Sequence, residues 1–199
     1  MKNKSRIYIF MLGILCFTIS QILIRIPILN LLNTNVAINK SQILYPILYS
    51  LFLAFSAGIF EEGFRFLFRK YLIKNGSNKN YAIIFGLGHG LVEVAYLLFI
   101  LISSGVNIST MNLLVAGYER VLAVIFHVGM TVFIWDGFLN DKENRNLLLA
   151  ILFHGLFNSV PIFTGFIGGG ALLLYTISTI YCIIILIYIK KSRFNLGGK

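Results

Sequence analysis

The residues best suited to chemistry gather at Glu61-Glu62-Gly63-Phe64-Arg65, which closes a long apolar run from Gln42 to Phe60. Charge at membrane depth costs a few kcal/mol per group, so it is rarely accidental there. On a helix Glu61 and Arg65 are four apart and Glu62 and Arg65 three apart, so the arginine can neutralise one carboxylate and leave the other for separate work. Two ionised carboxylates this close in low dielectric repel, and Arg65 is expected to balance their charge. Only seven residues are acidic, yet Glu93 and Glu119 also fall in apolar stretches, as do all three histidines, His89, His127 and His154. A purely structural bundle would keep such groups in loops, so this distribution points to a polar centre. A carboxylate in such a centre can act as a general base. A metal, a histidine or an asparagine beside it can stabilise a developing negative charge. Three histidines and a glutamate can equally hold Zn²⁺.

Spacing and depth carry the argument further. His89 lies eight residues after Tyr81, His154 eight after Asn146 and His127 eight before Trp135. Eight residues of helix rise roughly 12 Å. With Glu61 and Glu62 in the last turns of their own span, these groups are expected in one layer, the cytoplasmic third of the membrane. His89 and Glu93 are four apart, so that carboxylate is expected to orient the imidazole. His154 and Asn158 are four apart, and Arg120 and His127, seven apart, share a face. Arg120 is expected to pair with Glu93 or Glu119. The plain alternatives are interhelical hydrogen bonding for His127 and structural pairing for Glu93 and for Glu119–Arg120.

These groups need helices to carry them, and the chain has them. Of 199 residues 58% are hydrophobic and 12% charged, more apolar surface than a soluble domain of this size needs, so the expected class is all-α, a polytopic membrane bundle. Six spans are expected, at about 7–24, 43–68, 81–103, 111–135, 146–163 and 171–189. Arg25 to Ser41, with Pro27 and several asparagines, reads as a connector. The whole chain, 1–199, reads as one integral-membrane domain with a motif-bearing core at 56–158. The net charge of +10 does not signal nucleic-acid binding, because the basic residues sit at span ends. Lys2, Lys4, Arg6, the 69–79 loop, Lys142, Arg145 and the tail together hold thirteen of the 17, all on one face, so both termini are expected in the cytoplasm. Cys16 and Cys182 lie in apolar runs without metal-ligand spacing and read as packing.

The order Glu61-Glu62-Gly-Phe-Arg65, Phe85-Gly-Leu-Gly-His89 and His154-Gly-Leu-Phe-Asn158, in separate spans, resembles the CAAX-protease and bacteriocin-processing (CPBP) superfamily of intramembrane proteases. Within it, Gly-Ile-Phe-Glu-Glu, Gly-His-Gly followed by Glu93, and Glu119-Arg120 followed by His127 look like the YhfC-type intramembrane metalloproteases. The resemblance covers roughly 56–158. The broader superfamily puts three residues between Glu-Glu and Arg, whereas this chain has two, which suits the YhfC-like branch.

The resemblance implies an intramembrane endopeptidase in which Glu61 activates water against a peptide bond near the cytoplasmic boundary. Its substrate would be a membrane-anchored protein or peptide. Glu62 and Arg65 would support Glu61, and Asn158 would donate to the oxyanion. His89, His154 and Glu61, with His127 as a further ligand, would hold a divalent metal, zinc being the expected one; Glu93, Glu119 and Arg120 would be supporting residues. The expected setting is a multi-pass protein in a bacterial cell membrane, in contact with lipid. Two other classes stay open: a small proton- or ion-coupled transporter, and a catalytically silent peptide-binding or immunity protein. A transporter should show paired half-helices or internal symmetry, and the sequence has neither.

Overall fold

The structure, a computed structural model, describes residues 6–74 and 78–192. Lys2, Lys4, Arg193 and Lys199, used above to orient the chain, lie outside the described residues. Among those residues the fold is wholly helical. Six helices are long and apolar enough to cross a membrane: α1 Arg6–Leu32, α3 Pro46–Leu72, α4 Lys79–Ser103, α5 Thr110–Leu139, α6 Glu143–Phe166 and α7 Gly170–Lys191. A short α2, Val36–Leu44, links the first two. The helices begin where capping chemistry allows. The side chains of Asn35, Asn78 and Ser109 accept N–H groups of α2, α4 and α5, and Pro46 opens the first turn of α3. Gly168 and Gly170, with φ of 68° and 60°, make the tight turn from α6 to α7.

The connector expected from Arg25 to Ser41 is instead the outer end of α1 followed by α2. Pro27 does not end α1. The turns before it, Thr18–Arg25, are π-helical, with the Ile26 N–H reaching Gln21 O five residues back. Such local widening is how membrane helices absorb a proline. The other helices also run beyond their apolar cores, α3 to Leu72 and α5 to Leu139. His127 is therefore twelve residues from the end of α5 and His154 eleven from the start of α6. The polar layer therefore sits near the middle of these helices.

Lipid offers no hydrophobic drive for helix association, so close van der Waals packing holds the bundle. α1 packs on α4, α3 on α6, and α5 on α4, α6 and α7. α5 is the most enclosed, with 67% of its most apolar stretch buried. The α1–α4 contact is backbone on backbone: a Cβ at Gly13 would collide with the Phe85 carbonyl, and one at Gly88 with the Phe10 carbonyl. On the terminus-bearing side of the polar layer, Leu12, Phe66, Phe85, Met130, Trp135 and Ala150 form one buried apolar cluster. Arg69 caps it, its guanidinium 5.3 Å from the Trp135 ring centroid and 5.0 Å from that of Phe138, while Nη1 donates to Ile73 O at 2.7 Å. The bundle is thus plugged at the end where the chain begins and ends.

Candidate active site

Glu61 and Glu62 are neighbours on α3 and point to different partners. Glu62 is fully buried, ion-paired with the equally buried Arg65, and its Oε1 lies 2.7 Å from His154 Nδ1. Glu61 makes no ion pair with Arg65. Its Oε2 is 3.0 Å from His89 Nε2 and 3.6 Å from His127 Nδ1, and its Oε1 is 3.8 Å from His154 Nε2. Three imidazoles from α4, α5 and α6 therefore surround one carboxylate. Arg65 Nη2 lies 3.3 Å from His127 Nδ1, so the arginine holds the second carboxylate and one imidazole at once. The division of labour read from the spacing is the one found: Arg65 takes Glu62 and leaves Glu61.

The supporting residues form the outer part of the same network. Arg120 Nη1 donates to Glu93 Oε1 at 3.1 Å, and Nη2 is 3.5 Å from Glu119 Oε1. Glu93 does not orient His89, its neighbour four residues back on α4. Its Oε2 lies 2.5 Å from His127 Nε2 on α5 instead. The reason is placement: His89 is drawn to Glu61 on α3, and His127 faces Glu93 across the α4–α5 contact. Asn158, half-buried one turn beyond His154, faces the space beside Glu61. Cys16 and Cys182 are free and buried, as packing residues should be.

Ligand atoms of Glu61, His89 and His127 all lie within 4.8 Å of one another, a set able to hold one metal ion. The donor chemistry suits a divalent metal, one carboxylate oxygen and two imidazole nitrogens. A carboxylate stands behind two of the histidines, Glu93 at His127 and Glu62 at His154, the outer arrangement that fixes a ligand imidazole. His89 Nδ1 is buried without a hydrogen-bond partner. His154 falls outside the three-residue group, with its Nε2 turned to Glu61.

Two cavities meet at this centre. One of about 160 Å³ lies between α5, α6 and α7 and is bordered by Glu119, Arg120 and Tyr175. The other, about 450 Å³, lies between α1, α3, α4 and α6. Both reach Glu61, Glu93 and Asn158, and both are lined by the halves of the helices remote from the termini. The larger one brings in two residues that the sequence reading missed, Gln21 and Arg25. Their signal was present, two polar groups four apart, but Gln21 fell within the expected first span and Arg25 in the expected connector with Pro27.

No curated protein and no solved structure matches the chain. The family described as YhfC intramembrane metalloprotease matches it over residues 1–107 and 95–181. With six membrane-spanning helices converging on a buried glutamate–histidine centre, and a match running through all but the C-terminal end, the chain belongs to the YhfC intramembrane metalloprotease family.

Proposed function

We propose that this protein hydrolyses a peptide bond of a membrane-associated protein or peptide, with Glu61 as the general base. The observation that carries the reading is the inequality of the two glutamates: Arg65 occupies Glu62, while Glu61 faces three imidazoles and two cavities. Glu61, His89 and His127 are the residues that would hold a divalent metal, zinc being the expected ion, which supplies Lewis acidity to the scissile carbonyl when bound.

The rest is done by the chain. With Glu61 Oε2 turned to His89 and His127, its Oε1 takes the proton of a water as the water attacks the carbonyl carbon, and the carboxyl group passes a proton to the departing amide nitrogen. Asn158 donates from its side-chain amide to the developing oxyanion. Arg65 neutralises Glu62, Glu62 fixes the ring of His154, and Glu93 fixes that of His127. Burial keeps bulk water from the centre, which strengthens each of these interactions. The terminal plug directs access to the opposite half of the bundle. With both termini cytoplasmic, as the basic residues favour, substrate reaches the centre from the outer half of the membrane of a bacterial cell.

One observation favours a transporter: Glu119, Arg120, Glu93, His127 and Glu61 form a chain of titratable and charged groups. The aromatic plug opposes it: Phe85 and Trp135 are fully buried on that side, and the buried polar groups there, Arg69 and Asn146, are tied to the backbone carbonyls of Ile73 and Phe133. The discriminating experiment uses protein reconstituted in liposomes with hydrophobic peptide reporters, read by mass spectrometry beside a proton-flux dye. Cleavage by the wild type that is lost in Glu61→Gln supports the protease. Proton-coupled flux without cleavage replaces it with the transporter.

A further inference from the structure

The 450 Å³ cavity holds a set of donors without matching acceptors. Arg25 reaches into it from the π-helical part of α1. Its Nε donates to Ser56 Oγ at 3.2 Å, its Nη2 to Leu53 O at 2.7 Å and its Nη1 to Gln21 Oε1 at 3.0 Å. All three acceptors are neutral, and no carboxylate lies within ion-pair distance of Arg25 among the described residues. A guanidinium has five N–H donors, so two remain. Gln21 is 4% exposed, and its Nε2 is buried without any hydrogen-bond partner. Because Gln21 Oε1 accepts from Arg25, the orientation of the amide is fixed and the NH₂ must be the unsatisfied end.

A guanidinium without a direct ion-pair partner and an orphaned amide donor, side by side in an apolar helix, are costly unless a ligand completes them. Gln21 and Arg25, four apart, share one face of α1, and the turns that carry them are π-helical, a form that recurs at functional sites. The other wall of the cavity is Glu61, Glu93 and Asn158. We propose that Arg25 and Gln21 form a subsite for a carboxylate of the peptide substrate, at its chain terminus or on an acidic side chain, bound while the scissile bond lies at Glu61. A planar carboxylate takes two N–H donors at once, and the free N–H groups of Arg25, one on Nη1 and one on Nη2, offer such a pair while Gln21 holds the guanidinium through Oε1. The proposal rests on the peptide-cleaving reading of the same centre and adds a specificity to it.

Binding tests it without requiring cleavage. Glu61→Gln protein in a phosphate-free detergent is titrated with three hydrophobic peptides of one sequence: a free C-terminal carboxylate, a C-terminal amide, and the amide with one internal Asp. A carboxylate peptide, terminal or internal, should bind roughly tenfold or more tightly than the neutral amide, and the stronger of the two identifies the source. Adding Arg25→Gln should bring all three to the affinity of the amide. Arg25→Gln also removes two bonds between α1 and α3, so Gln21→Leu, which leaves Arg25 in place, is the second variant and should lose part of the preference. Equal binding of all three peptides to folded Glu61→Gln protein overturns the subsite. So does a bound anionic phospholipid that is lost in Arg25→Gln while peptide preference is unchanged, which assigns the pair to a headgroup. Peptide preference in Glu61→Gln with no cleavage by the wild type removes the protease reading and leaves the carboxylate site standing.

Discussion

His89 on α4 meets Glu61 on α3 at 3.0 Å, and α1 lies against the segment of α4 that carries this histidine. A side chain at Gly13 has no room, because its Cβ would strike the Phe85 carbonyl and come within 2.9 Å of the His89 backbone nitrogen. Gly13→Val is expected to lower stability by about 1–3 kcal/mol through overpacking and to displace His89. Gly117→Ala is the contrast, since a Cβ there meets nothing within 4 Å; it should leave stability unchanged or raise it slightly. Thermal unfolding in micelles compares the two.

Arg65 is expected to be more structural than Glu61. It is fully buried, pairs with Glu62 and reaches His127, so its loss strands a buried carboxylate. Arg65→Met should cost about 3–5 kcal/mol, the usual effect of breaking a buried pair. Arg65→Lys should recover only part, because one ammonium cannot reproduce two guanidinium contacts in different directions. Glu61→Gln removes no ion pair with arginine and should unfold near the wild-type temperature. Unfolding of the three variants in one detergent decides it.

Elemental analysis of purified protein should find about one divalent ion per chain, a count that follows from one compact ligand group. His89→Ala and His127→Ala should lose the ion. His154→Ala should keep it and still impair cleavage, because His154 lies outside that group and faces Glu61 through Nε2. Full activity from protein shown free of metal after exhaustive chelation would leave Glu61, the histidines and Asn158 to work alone.

Single-cysteine labelling tests the orientation. Asn107 and Gly169 lie at the end of the bundle remote from the termini, and Lys142 at the plugged end. Cysteines at the first two should react with an impermeant reagent applied to intact cells, and one at Lys142 only after permeabilisation. The reverse pattern would turn the open half of the site toward the cytoplasm.

Much of this was legible before any coordinates. Apolar run length gave the six spans, and the spacing showed that Arg65 could take one of the two glutamates without deciding that it would be Glu62. The pairing of Arg120 with Glu93 and Glu119 was also readable, because charges at membrane depth must find partners. Three things were not. The His127–Glu93 contact joins two helices, and spacing along one helix favoured His89 instead. The helix ends were placed too early because polar residues such as Arg69 and Asp136 continue helices that hydropathy ends. Arg25 was assigned to a loop because Pro27 usually breaks a helix, and a π-helical segment cannot be read from composition.

The central claim is that Glu61 activates the water that cuts a peptide bond. It is tested most directly by single-turnover cleavage of a membrane-anchored peptide in H₂¹⁸O, with wild type and Glu61→Gln in matched liposomes. The wild type should give a product carrying ¹⁸O in its new carboxylate. Glu61→Gln, folded and inserted to the same extent, should be slower by about 10²–10⁴, the usual cost of losing a catalytic base or an oxyanion donor. Cleavage and label incorporation by Glu61→Gln at the wild-type rate would contradict the account.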